Sequence, residues 1–308
     1  MAIKHSTSKV SGERGYAADW NADHTVTDPD LSKRSASRIV AAYDSLDKGR
    51  ADYVCDGVAD QAEINQAITD LAAAGGRVCL LEGSFYVSGT INLASGVALS
   101  GQGYSSVISR VTGTLAWLIT VSAGVTGASV ADLCVDGKRS LTGSNLYGCI
   151  SLGGTYNFVS RCHVLSCKGH GVAVSGSCNA VTGSHISDTG RSGVFISTNS
   201  GATITGNFIT GSGQIISNAG VWLYGSSCRA VLASNVISGG TADGVDADSS
   251  ANRCTVTGNV ITGNAGTGIN FTGSEDYNVI VSNVVYGNTG GQITTTGSHD
   301  DVAHNIVG

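Results

Sequence analysis

Three carboxylates, Asp243, Asp246 and Asp248, fall within six residues of a stretch that is otherwise apolar or small. If the stretch is extended, Asp246 and Asp248 share one face with Cα atoms about 6.5–7 Å apart. Both geometries that hydrolyse a glycosidic bond are within reach: carboxyls roughly 5–5.5 Å apart for retention, or 6.5–9.5 Å apart with a water between them for inversion. Mutual repulsion raises one pKa, leaving one acid and one base, with Asp243 positioning one of them or the water. The same three side chains are a set that Ca2+ accepts through oxygen, or simply a solvated turn. No other cofactor or metal is expected, since the nearest cysteine spacing, Cys162 and Cys167, has no second pair at zinc-binding distance.

An internal repeat positions these groups. A small residue, then Asn or His, then an apolar residue recurs with anchors at His163, His185, Asn207, Asn235, Asn259, Asn283 and Asn305, at intervals of 22, 22, 28, 24, 24 and 22. Gly171, Gly193, Gly220, Gly244, Gly268 and Gly291 recur in step and open the next apolar segment. Three short strands per period, each bounded by Gly, Ser or Asn, predict a parallel β-helix whose coils stack at roughly 4.8 Å, about ten coils in all. The Asn column predicts a side-chain ladder at one corner, with His163 and His185 as structural members of it.

Alternation then sorts the faces. After each marker Gly the first and third residues are apolar and point to the core, so Ala173, Phe195, Trp222, Asp246 and Asn270 form one outward column, and Ser175, Ser197, Tyr224, Asp248 and Thr272 the next. Phe195, Trp222 and Tyr224 are candidate sugar contacts, or surfaces buried against another subunit; Asn270 is a further binding candidate. Arg191 is expected either to pair Asp188 or to meet an acidic sugar. His170 precedes the first marker Gly. A second polar cluster, Glu275 and Asp276 with His299, Asp300 and Asp301, reads as a solvated loop column.

Composition agrees with this architecture. The 308 residues include 44 Gly and one Pro, and 41% are hydrophobic, which excludes collagen and disorder and leaves little room for long helices. A net charge of −6 and the lack of a basic, aromatic-interleaved stripe exclude a nucleic-acid partner. No apolar run is long enough to span a membrane, and the first residues lack a secretory pattern, so synthesis in a cytoplasm with nine reduced cysteines is expected.

Charge density divides the chain. Residues 1–50 hold eight Lys/Arg and seven Asp/Glu, whereas residues 51–308 hold nine and sixteen. The first 50 read as an extended arm, with Ser37 to Leu46 its only weakly helical stretch. Residues 51–76 read as a cap, with Asp60 and Glu63 as a capping box before the stripe Ile64, Ala67, Ile68 and Leu71. Residues 77–308 form the β-helix.

The string CDGVADQAEINQAI (55–68), followed by GGRVCLLEGSFYVSGTINLASGVALSGQG (75–103), resembles the cap and first coils of pectate-lyase-like right-handed β-helices, especially those of bacteriophage tailspikes. ADWNADH (18–24) resembles a segment near the start of phage tail-fibre and tailspike chains. The resemblance implies an all-β, right-handed, single-stranded β-helix with an N-terminal capping α-helix. It further implies a homotrimeric virion protein, made in the host cytoplasm, attached to the phage tail or baseplate through the arm. Such a protein binds, and often cleaves, bacterial capsule, lipopolysaccharide or exopolysaccharide. Hydrolysis by the Asp pair is the leading expectation, a non-catalytic adhesin or structural spike the second. A uronate lyase or epimerase is the third, disfavoured by the dearth of Lys and Arg near the acidic strand.

Overall fold

The computed structural model describes residues 37–308 except 113–115, 143–145, 147, 198–200, 226–228 and 249, with the side chain of Thr142 also outside the description. The tail-fibre-like segment 18–24, and with it most of the predicted arm, therefore lies outside the described residues.

Among the described residues, strands of two to five residues recur and pair only in parallel, each with its counterpart one coil away. They build three sheets of twelve, ten and nine strands, here sheets A, B and C. One coil runs from sheet C to sheet A and then to sheet B, as in Val172–Val174, Ala180–Thr182 and His185–Ser187. The nine strands of sheet C set about nine turns. The core is a stack of apolar columns, because each core position repeats in register: Val172, Val194, Val221, Val245 and Ile269 pair in succession and all are fully buried. The predicted all-β parallel solenoid is the fold observed.

The corner between sheets A and B shows why the anchor motif has its form. The first turn residue adopts a left-handed conformation, as at Gly206 (φ 65°), Gly258 (φ 64°) and Ser234 (φ 57°), which favours Gly or a small polar residue. The next residue is a buried Asn whose carbonyl accepts the backbone N–H of its equivalent one coil back. Asn207, Asn235 and Asn259 donate to Asn235, Asn259 and Asn283 at 3.0, 2.9 and 3.0 Å. Each side-chain amide donates along the same line, so the buried polar groups are satisfied coil by coil. Two shorter ladders, Asn157–Asn179 and Asn264–Asn288, occupy the other corners.

His163 and His185 are not members of the ladder. The ladder passes through Ser184, whose N–H donates to Asn207 at 2.9 Å, and His163 and His185 lie one residue later, in register with Phe208 on the outside of sheet B. There the two imidazoles stack with centroids 4.7 Å apart. A motif that accepts either Asn or His at the anchor conflates an inward and an outward position, which period-two alternation separates.

The helix Gln61–Leu71 covers the first coils with its stripe Ile64, Ala67, Ile68 and Leu71. Asp60 does not form the expected capping box: its carboxylate accepts the N–H groups of Gly57 at 2.9 Å and Tyr86 at 2.7 Å, tying the helix start to a neighbouring strand. Ser37–Ala41 is a strand, not a helix, pairing in parallel with Gly76–Leu80 and Tyr53–Val54. The compact unit accordingly begins before the compositional boundary at residue 50. Charges from 44 to 50 sit on exposed turns, as when Asp44 accepts the N–H of Ser84 at 2.8 Å, so charge density there reports exposure and not a separate segment.

The cysteines are not all reduced. Cys149 and Cys167 form a disulfide across 18 residues, closing one coil on itself inside the core. Cys55, Cys79, Cys134, Cys162 and Cys178 are free, with Cys178 exposed.

A candidate active site on the face of sheet C

Sheet C carries the predicted columns. Phe195 pairs with Trp222, Trp222 with Asp246, and Asp246 with Asn270, while Tyr224 pairs with Asp248 in the adjoining column. The intervening core positions Ile196, Leu223 and Ala247 are buried, which forces these side chains outward.

The aromatic groups pack on one another along the shaft. His170 stacks on Phe195 at 4.5 Å, Phe195 meets Trp222 at 5.0 Å, and Trp222 meets Tyr224 edge-on at 5.4 Å. Their faces are thus partly spent on each other, and Tyr224, 39% exposed, presents the most open ring of the three predicted sugar contacts. His170 is a member that column reasoning did not tie to the aromatics; burial, with Arg191 nearby, pushes its pKa down to about 3, so it is a neutral ring. Its place before the marker Gly was the available signal.

The acidic cluster is electrostatically uneven. Burial, aided by Asp243, Asp248 and Glu275, raises the Asp246 carboxyl to about 7. Asp248, two residues on, faces the same side and is exposed. Asp243 is held in place: its carboxylate accepts the N–H of Thr267 at 2.5 Å and the side-chain amide of Asn270 at 2.9 Å. It therefore fixes Asn270, the register partner of Asp246. The arrangement can supply a protonated carboxyl near neutrality beside an exposed second acid.

Arg191 and Asp188 do not pair. Asp188 is bridged by Arg139 at 2.7 Å, while Arg191 donates through Nε to Asn218 at 3.1 Å and places its guanidinium 5.9 Å from the Trp222 ring centroid. The turn that carries both residues points them to different coils. Arg191 thus joins the aromatic column one coil from Trp222.

The second polar cluster is engaged in its own turns. Glu275 is buried and accepts the N–H groups of Gly273 and Ser250, Asp300 accepts that of Asn278, and Asp276 pairs with His299 at 2.7 Å. Elsewhere, Cys55, Asp60 and Glu63 bring ligand-type atoms within 4.8 Å of one another, but the Asp60 carboxylate is the backbone clamp described above. Among the described residues no helix is long and apolar enough to cross a membrane.

No protein of curated function matches the chain by sequence. Among solved structures, the A-module of mannuronan C-5 epimerase AlgE4 from Azotobacter vinelandii is similar with a TM-score of 0.61 at 18% identity, over 82% of this chain and 92% of that one. DFA-IIIase from Arthrobacter chlorophenolicus A6 gives 0.68 at 12% identity, over 88% and 76%. The Dettilon tailspike protein gives 0.65 at 15%, over 76% of this chain but 48% of the tailspike. Likenesses at such identity concern the fold. The family described as the right-handed beta helix region matches residues 148–307, and with more than half of its length so matched this chain belongs to the right-handed β-helix family.

Proposed function

We propose that this chain is a phage tailspike-type protein that binds a bacterial surface polysaccharide along sheet C and hydrolyses its glycosidic bonds. The observation that carries the reading is Asp246, a carboxyl raised to about 7 on an outward column that continues into Trp222 and Phe195. A fold shared by many activities does not decide the chemistry, so the weight rests on this site. Its solved neighbours include a tailspike and an epimerase of a sugar polymer, which accord with a glycan ligand.

In the proposed reaction Asp246 donates its proton to the glycosidic oxygen as the C–O bond breaks. Asp248 either takes a proton from the attacking water or attacks the anomeric carbon first, depending on the carboxyl separation in the complex. Asp243 positions Asn270 beside Asp246. Tyr224, Trp222 and Phe195 contact sugar rings, with Arg191 at the upstream end. Capsule, lipopolysaccharide or exopolysaccharide is the substrate class, and the protein acts as a homotrimer on a virion whose tail or baseplate holds residues 1–50.

One observation favours a second reading, a uronate lyase or epimerase: Arg191 stands over Trp222 and has no carboxylate partner among the described residues.

Chromatography of host capsule and lipopolysaccharide after incubation with the purified protein tests the proposal. Defined saturated oligosaccharides, lost at least about a hundredfold in folded Asp246→Asn or Asp248→Asn, support it. An ultraviolet-absorbing double bond or C-5 inversion selects the second reading. Tight binding without product makes the protein an adhesin. Activity that survives both substitutions refutes the assignment of the acids. A chelator leaves the rate unchanged if the aspartates act as acid and base, and abolishes it if they hold Ca2+.

A further inference from the structure

Buried polar groups without partners are concentrated at one place on this chain. Among the described residues five side-chain polar atoms are buried with no hydrogen-bond partner, and three of them, His170 Nδ1, Ser192 Oγ and Trp222 Nε1, belong to three successive coils on or just before sheet C. The carbonyl of Ser192 accepts the N–H of Gly171 at 3.0 Å, which sets Ser192 one coil from His170. The His170 and Trp222 rings lie 6.3 Å apart between centroids. His170 is 7% exposed and Ser192 is fully buried. Leaving one such group unpaired is costly, and three together point to a ligand that pairs them.

Arg191 stands at the same spot. Its Nε is spent on Asn218 at 3.1 Å, its guanidinium lies 5.9 Å from the Trp222 centroid, and its charge acts on His170. Among the described residues the two terminal nitrogens of Arg191 have no hydrogen-bond partner. One turn is enlarged to hold it: residues 211–220 put ten positions between sheets B and C, where the turns 188–193 and 239–244 have six. This surplus supplies most of the excess in the 28-residue interval of the repeat. The N–H of Gly213 donates to the Arg191 carbonyl at 2.8 Å while Asn218 holds the side chain, so the enlarged turn fixes both ends of the residue.

We propose that Arg191, together with Trp222 Nε1, Ser192 Oγ and His170 Nδ1, forms a subsite for an anionic substituent of the polysaccharide, a sugar carboxylate or a phosphate. The donor inventory selects an anion. An indole N–H only donates, a serine hydroxyl and a neutral imidazole can each supply a proton, and the free end of the guanidinium is a planar two-point fork. His170 packs against the half-buried ring of Phe195, and that ring and Trp222 turn aside as the anion enters. Acids occupy the other end of the groove. Asp246 is one coil beyond Trp222, so the charge changes from positive at Arg191 to negative over two coils, roughly 10 Å along the shaft. An anionic unit is drawn to one end and repelled from the other, which fixes the register of a polymer that carries one charge per repeat. The inference rests on the reading that sheet C binds a glycan and adds the charge of that glycan; it does not depend on how the bond is broken.

The test is the affinity of the full-length chain for host capsule and lipopolysaccharide, measured by titration calorimetry in the Asp246→Asn background so that the polymer stays intact. Each polymer is used as isolated, after reduction of its carboxyl groups to alcohols, and after removal of phosphate with hydrofluoric acid. One of the two treatments is expected to weaken binding about 10- to 100-fold, and the effective one identifies the substituent. Arg191→Gln is expected to weaken binding of the untreated polymer by the same factor and to leave binding of the neutralised polymer unchanged. Tyr224→Ala, a loss of stacking alone, weakens both alike. Should Arg191→Gln lower Tm, Arg191→Lys takes its place; it keeps the charge, loses the fork, and is expected to weaken binding of the untreated polymer only. Affinity that survives both treatments overturns the inference and leaves glycan binding standing, as does an equal loss in the Arg191 variant for treated and untreated polymer. Absence of binding to every polymer fails the proposed function, and this inference with it.

Discussion

Asp246 and Trp222 are register partners on adjacent strands of sheet C, so a carboxyl and an indole occupy neighbouring rungs of one outward column. The pairing places the acid at the end of the aromatic series and sets it where burial raises its pKa to about 7.

The cleavage proposed above carries a pH dependence set by that value. A general acid works while protonated, so kcat/KM is expected to fall as pH rises through about 7. In Asp243→Asn one of the raising charges is gone, and the falling limb moves to lower pH; because burial is the larger cause, it stays above the ordinary aspartate range. A pH–rate profile of both proteins checks the shift, and an unmoved limb would mean that another group titrates.

Asp246 also has a stability signature. A carboxyl whose folded-state pKa is raised binds its proton more tightly when folded, so stability is lost as pH rises from 3.8 through about 7. Asp246→Asn removes that loss. Its Tm should exceed that of the wild type by about 5 °C at pH 8 and match it at pH 3, as read by thermal unfolding.

The ladder at the A–B corner is expected to be costly to break. Asn259 accepts the backbone and side-chain N–H groups of Asn235 and donates to Leu232 and Asn283. Asn259→Ala leaves several buried groups unmatched and should destabilise the protein by about 3 kcal/mol in guanidinium unfolding. A loss within about 0.5 kcal/mol would show that water replaces the amide.

The disulfide gives a fourth expectation. Closing an 18-residue separation should contribute about 3 kcal/mol, so Cys149→Ser/Cys167→Ser is expected to lower Tm. Dithiothreitol should lower the wild type in the same way and leave the double variant unchanged.

The outward columns of sheet C were legible in the sequence because two local rules add up without further information. Side chains alternate along each strand, and parallel pairing carries that alternation unchanged from coil to coil, so Phe195, Trp222, Asp246 and Asn270 align once the marker glycines are aligned. The stripe of the capping helix was legible for the same reason, since helical periodicity is local. The sequence by itself thus determined the solenoid and which residues share a face. Only the tertiary structure decided that Asp188 pairs with Arg139 and leaves Arg191 on Trp222, that His163 and His185 stack outside the ladder, that Ser37–Ala41 is a strand, and that Cys149 reaches Cys167. These depend on the paths of turns of unequal length and on contacts between coils. Burial of Asp246 depends on them too: its protonation comes from what surrounds it and not from its place in the repeat.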